Sequence, residues 1–442
     1  MQPSELADPS PQGTAMNGRR SARAAPDGQF GGRLVLAACW ILALAAYNPP
    51  QRSGALTLAG LDWIALLKVA SRASACGLLA LALLRTPDRG RRLLVFKSLL
   101  PWALFASWAV ATTLWSPFKA FTLGHSLELL ILLLLAAAVA YHAREESFLS
   151  SLALNLVLIV LVVASASLIL FLLDPTGGIE TQIQRPFNLG HPNDIAASSG
   201  LCLLMLLLVN LLWKWRWPAF LNLPVAIVCG TFLLVAQSRT VLFAFSTCLL
   251  VVFITFRRRP GMLLGLVATV LMGVLILSAG LGDRLIEETR TYVLRGQERG
   301  DFLAASGRVE LWREALGNFW QAPFQGFGYF VLTPVGYTEY AGVDKPTYGA
   351  HNLLLHVLTG TGLIGLTLFL WSVGRLILPH FLFGSLSGEE RKISTLVAVI
   401  MLLFFMLGLF EVSFLSAVCP SVVVFFAILG IGVANRLELR AP

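Results

Sequence analysis

Long apolar runs, separated by short polar connections, recur from residue 33 to residue 434. A helix rises about 1.5 Å per residue, so roughly 20 apolar residues cross a hydrocarbon layer about 30 Å thick. On that measure the sequence predicts twelve spans, with cores at 33–49, 65–84, 95–115, 124–141, 152–173, 194–213, 218–237, 240–256, 261–280, 352–374, 394–412 and 415–434. The second has the least defined bounds, because Lys68 and Arg72 interrupt it. Backbone groups in lipid find no water, which leaves helices as the spanning structure for runs of this length. The expected fold is therefore all-α, a polytopic membrane bundle of about 12 transmembrane helices. One large loop, 281–350, is expected to carry short helices, and residues 1–30 read as a disordered cytoplasmic tail ahead of the bundle at 31–442.

Composition excludes a soluble globular class. Hydrophobic residues fill 57% of 442 positions and charged residues only 13%, against about a quarter in soluble domains. All six cysteines (Cys39, Cys76, Cys202, Cys229, Cys248, Cys419) fall in apolar runs without a CxxC pair, which reads as buried small side chains rather than disulfides or metal ligands. Basic residues concentrate in alternate connections, such as RTPDRGRR (85–92) and FRRRP (256–260). The positive-inside rule then puts both termini in the cytoplasm and the 281–350 loop on the opposite, outer face. The +9 net charge follows from this orientation and from anionic headgroups, and no nucleic-acid-binding module is present.

Chemistry is expected at the outer face. The 281–350 loop holds more acidic than basic residues, so an anion site there must come from individually placed arginines. SGRVELWREALGNFW (306–320) reads as an amphipathic helix capped by Ser306 and stopped by Pro323. Its apolar face (Val309, Trp312, Leu316, Phe319, Trp320) is expected to rest on the membrane surface or on the bundle, with Arg308 off that stripe. GFGYF (326–330) reads as a flexible turn with aromatic edges suited to flanking a sugar or lipid. Arg239, in AQSRTVLFAF, and Arg185, in QRPFNLGHPND, sit in tight outer connections. Each arginine alone reads equally as a headgroup anchor, but three guanidiniums on one face together with His351 tilt the reading to a diphosphate site, since guanidinium binds phosphate oxygens bidentately.

His351 begins HNLLLHVLTGTGLIG at the outer end of the tenth span, where unpaired helix N–H groups favour an anion. It is the candidate proton acceptor, with Asn352 supporting it. His356 lies about 140° round the helix and reads as packing. Gly360, Gly362 and Gly365 read as close-approach points between helices. His125 and His191 are further outer-side candidates, and His142 and His380 fall on the inner side. Glu411, taken as the one notable acidic residue in an apolar run, either pairs with an arginine or simply closes a span. Lys68 is a further candidate phosphate contact. No phosphate-binding P-loop, dinucleotide fingerprint, HExxH, GxSxG or paired-aspartate metal motif is present.

His351-Asn352 followed by Gly362-x-x-Gly365, SGRVELWREAL around Arg308, SRTVLFAF around Arg239 and RPFNLGHPN around Arg185 together resemble the O-antigen ligase and polymerase family of bacterial envelope glycan enzymes. Phe243 departs from the leucine common four residues after the second arginine. The resemblance implies a GT-C-like fold in the bacterial inner membrane and glycosyl transfer on its periplasmic face. The donor would be a saccharide on undecaprenyl diphosphate, and the acceptor a glycan or lipid A–core. Arg185, Arg239 and Arg308 would hold the diphosphate, His351 with Arg308 would be catalytic, and Asn352 and Glu411 would support them. No metal or cofactor is implied. The rival class is a secondary transporter or lipid-linked glycan flippase, whose ionisable residues would cluster at mid-membrane beside broken helices.

Overall fold

The computed structural model describes residues 26–45, 63–173, 192–213, 219–236, 238–256, 308–332, 350–381, 388–415 and 417–439. Arg185, His191, Ser306 and the ninth expected span lie outside the described residues. Among the described residues twelve α-helices run in order: α1 (Pro26–Leu44), α2 (Trp63–Leu84), α3 (Arg89–Ala111), α4 (Lys119–His142), α5 (Glu146–Leu173), α6 (Pro192–Leu212), α7 (Ala219–Val235), α8 (Arg239–Phe256), α9 (Arg308–Phe319), α10 (Leu353–Leu376), α11 (Gly388–Gly408) and α12 (Pro420–Leu439). Among the described residues there is no strand. Nine of these helices are long and apolar enough to cross a membrane, α1 and α7 are shorter apolar helices, and α9 is the amphipathic helix of the loop. Helices outrun their apolar cores where polar residues cap them. Asp88, for example, accepts the Arg91 amide at 2.8 Å and starts α3 ahead of its expected core.

Lipid is as apolar as leucine, so close packing rather than water exclusion holds such a bundle together. The most buried of the spanning helices is α12. A Cβ on its Gly430 would stand 2.5 Å from the Ala136 carbonyl, so α12 and the alanine-rich stretch of α4 meet backbone to backbone. Beside them, Trp102 is edge-on to Phe105, Phe369, Phe414, Phe425 and Phe426, and Phe414 stacks on Phe425 at 3.9 Å.

The tenth span is broken. At Gly362 the backbone leaves the helix (φ 67°, ψ −170°), a left-handed conformation open chiefly to glycine. Residues 323–328 fill the gap. Phe327 and Gly328 amides donate to Thr359 and Gly360 carbonyls (3.0 and 2.8 Å), and Leu363 and Ile364 amides donate to Pro323 and Phe324 carbonyls (2.8 and 3.3 Å). Trp108 Nε1 takes the Thr361 carbonyl at 2.9 Å, and Trp115 Nε1 takes the Gly326 carbonyl at 3.0 Å. Polar backbone inside a membrane bundle must find such partners. Two expectations fail here. Gly360 and Gly362 admit a loop backbone rather than a neighbouring helix, and GFGYF is a buried wedge: Tyr329 is 3% and Phe330 8% exposed.

The wedge ties α9 to the bundle. Ala315 and Phe319 are buried, Trp312 Nε1 donates to the Ala350 carbonyl at 2.7 Å, and Thr359 Oγ1 donates to the Ala315 carbonyl at 3.4 Å. Val309, Leu316 and Trp320 remain exposed. The expected single apolar stripe is thus divided between the bundle and an outward face.

Candidate functional site

Four helices begin, and one ends, around a single carboxylate. Glu411 lies in the turn after α11, its amide donating to the Leu407 carbonyl at 2.9 Å. Its Oε1 accepts from Arg308 Nη2 at 3.2 Å and from Asn193 Nδ2 at 3.0 Å. Its Oε2 accepts from His351 Nδ1 at 2.7 Å. Arg308 opens α9 and Asn193 stands in the first turn of α6. His351 precedes α10. Arg239 opens α8, half-buried, and experiences the positive charge of Arg308. The N-termini of α6, α8, α9 and α10 therefore share this end, each adding partial positive charge beside two guanidiniums.

His351 is held under strain. Its φ of 44° lies in the left-handed region, costing roughly 1–2 kcal/mol for a residue with a Cβ. Asn352 then returns to extended geometry (φ −152°, ψ 123°), and its Oδ1 caps α10 by accepting the Leu355 amide at 3.0 Å. Its Nδ2 donates to the Leu409 carbonyl at 3.1 Å, joining the start of α10 to the turn that carries Glu411. A carboxylate only accepts, so Nδ1 carries a proton, and in the neutral imidazole Nε2 is then the nitrogen with the lone pair. The side chains of Arg308, His351 and Glu411 are 20%, 27% and 19% exposed, sheltered but open to an incoming group. The Arg308 guanidinium also lies 5.9 Å from the Phe410 ring centroid, which restrains its position. Behind Glu411, a cavity of about 30 Å³ lined by Asn193, Asp194, Val241, Phe404 and Ser421 has room for a water.

Of the expected site residues, the structure brings together His351, Arg308, Glu411 and Asn352, with Arg239 adjoining. Arg185 and His191 lie outside the described residues. His356 is buried with its ring edge-on to Phe330, and His142 and His380 are buried away from this cluster. Glu411 pairs with an arginine, as one of its two readings held. In the sequence, Asn193 or Asp194 reads only as a cap for the sixth span. The bond of Asn193 to a residue so distant in the chain left no sequence signal. Glu411 is not the one acidic residue of note, because Glu128, within α4, is also buried and bonds His125 and Arg72.

At the far end from Glu411, Arg91 donates to the Ala140 carbonyl and Arg436 to the Arg375 carbonyl, and Arg144 faces Glu438 at 3.7 Å. The chain's densely basic short loop at 85–92 lies at that end.

Residues 224–370, from α7 through most of α10, match the family model described as O-antigen ligase. That stretch carries Arg239, Arg308, the wedge and His351. A search of curated proteins finds no match to the chain.

Proposed function

From the resemblance of residues 224–370 to the O-antigen ligase family, we propose that the chain moves a saccharide from undecaprenyl diphosphate to a glycan or lipid A–core acceptor at the periplasmic face of the inner membrane. The coarser reading, a membrane glycosyltransferase of the O-antigen ligase or polymerase type, follows from the family match. One observation carries the finer reading: Glu411 binds His351 on one oxygen and Arg308 on the other. That shared support favours reading His351 as the proton acceptor and Arg308 as the diphosphate-binding cation.

In this reading the acceptor hydroxyl gives its proton to His351 Nε2 as its oxygen bonds the anomeric carbon of the donor sugar. The bond from that carbon to the diphosphate oxygen breaks, and the electron pair leaves with the diphosphate. Arg308 and Arg239, with Arg185 as a further candidate, meet the charge that develops there. Glu411 orients the imidazole, much as a buried carboxylate orients a catalytic histidine elsewhere. Asn193 and Asn352 hold Glu411 and the His351 backbone in register. The positive-inside rule, applied to the basic end described above, supports cytoplasmic termini and a Glu411 end outside.

Two observations favour the transporter as a second reading: α10 is a broken helix and Arg72 pairs with Glu128 within the spans. Transporter breaks, however, use freed carbonyls to coordinate ions. Here the Thr359, Gly360 and Thr361 carbonyls are engaged by Phe327, Gly328 and Trp108, which supports the transferase.

Deletion and complementation test the proposal. Surface polysaccharide should be lost in a deletion strain and restored by the wild-type chain, but not by His351→Ala or Arg308→Ala at equal membrane abundance. Product at wild-type levels in both variants removes the catalytic reading. Single repeats remaining on lipid A–core after deletion indicate a polymerase, whereas bare lipid A–core with accumulated lipid-linked chains indicates a ligase.

A further inference from the structure

Glycines aside, two of the described residues stand at positive φ: His351 at 44° and Phe330 at 69°. A residue with a Cβ resists that region, and such strain persists where the surroundings impose it. At His351 the surroundings are Glu411 and Asn352. At Phe330, the tail of the wedge, they come largely from α4. The His125 ring stacks on Phe330 with centroids 4.0 Å apart and planes 19° from parallel. Phe121, one turn before His125, meets it at 4.5 Å and Phe330 at 6.0 Å, and His356 of α10 closes in on Phe330 edge-on at 5.2 Å. His125 is fixed in turn. Its Nδ1 donates to Glu128 Oε2 at 2.9 Å, and Glu128 Oε1 accepts from Arg72 Nη2 of α2 at 2.5 Å.

Phe330 is also where the wedge passes from the bundle to the site. It belongs to the main apolar core, whereas Val331 and Leu332 form a second buried cluster with Ala315 of α9 and with Ala350. Trp312 and Leu355 pack against that cluster. Ala350 adjoins His351, and Trp312 stands one turn after Arg308. Close-packed side chains leave little slack, so a shift of Phe330 is passed through Val331 and Leu332 to His351 and Arg308 together. Small shifts matter there, because misplacing a reacting group by about 1 Å costs up to about 10²-fold in rate.

We propose that His125 is a positioning residue for transfer: stacked on Phe330 and braced through Glu128 and Arg72, it holds the wedge that sets His351 against Arg308. This rests on the glycosyl-transfer reading. The stack is what acts, and the His125 proton takes no part in the reaction.

The test compares His125→Asn with His125→Phe in the full chain, in proteoliposomes. Asparagine keeps an amide donor where Nδ1 stands, and so the Glu128 bond, but gives up the stack. Phenylalanine does the reverse. Rate and stability should therefore separate. His125→Asn should melt near wild type yet lose at least about ten-fold in kcat, with KM for the lipid-linked donor little changed. His125→Phe should melt lower and keep kcat within about three-fold. A wild-type rate in His125→Asn overturns the proposal. Rates that fall in step with Tm in both variants overturn it too, leaving a packing residue, as does loss in His125→Phe with retention in His125→Asn. A second readout needs no turnover. Nitroxides on Leu127→Cys and Trp320→Cys, both exposed positions, are placed in a chain carrying Cys76→Ser, since the other cysteines are buried. Their distance distribution should broaden in His125→Asn and not in His125→Phe, and an unchanged distribution in His125→Asn overturns the positioning role. That broadening in a chain whose wild type transfers no glycan counts against the proposed function alone.

Discussion

Glu411 is the residue on which most depends, because its two oxygens fix three side chains from distant parts of the chain. Glu411→Gln keeps the shape but replaces one acceptor oxygen with a donor amide. Either Arg308 then loses its bond, or His351 keeps one only by switching tautomer, so that Nδ1 accepts and Nε2 carries the proton. A hydrogen bond to a charged group is worth about 1.5–3 kcal/mol, so Tm should fall modestly. Transfer should fall further, by about 10²–10⁴-fold, the usual contribution of an oriented acid–base group. Parallel thermal melts and transfer assays check this, and activity within a factor of three of wild type counts against the orienting role. Asn193→Ala should cost less, about ten-fold, since it removes one of three bonds to the carboxylate. His351 was legible in the sequence because it stands where the one long polar loop meets an apolar run and opens the string that ends at Gly362-x-x-Gly365. Asn193 was not, because an asparagine at a helix start looks like a cap whether or not its side chain also reaches a carboxylate.

At the scale of elements, run length located the spans because the bilayer sets their length, whatever their partners. Run length could not reveal the break in α10. Glycines at 360, 362 and 365 serve helix–helix approach and loop insertion equally well, and only the positive φ at Gly362 separates the two. Gly362→Ala would set its Cβ against the Phe324 carbonyl in a conformation an L-residue resists. It should destabilise the fold by more than about 2 kcal/mol, read as a fall in Tm or in membrane abundance. Trp115→Phe removes only the bond to the Gly326 carbonyl and should cost about 1 kcal/mol. A harmless Gly362→Ala would show that the wedge does not occupy the break. The GFGYF turn was misread for a related reason: glycine and aromatic residues mark flexible turns and tight insertions alike, and burial decides between them.

At the scale of the whole molecule, charge asymmetry was the legible feature. The described basic connection at 85–92 and the Glu411 cluster fall at opposite ends of the helices. A reporter fused near residue 320 should read periplasmic. A cytoplasmic reading there would place the cluster on the wrong side for a lipid-linked donor exposed outside. The part that α6 plays in the convergence on Glu411, through Asn193, was not legible in one sequence, since nothing in hydropathy records which helices are neighbours.

The most direct measurement follows a purified undecaprenyl-diphosphate-linked saccharide, with acceptor, in proteoliposomes containing the full chain. Wild type should form glycan product and release undecaprenyl diphosphate, while His351→Ala and Arg308→Ala, folded and inserted equally, should each fall at least 100-fold. Product at the wild-type rate from either variant would contradict the assignment of transfer to the Glu411 cluster.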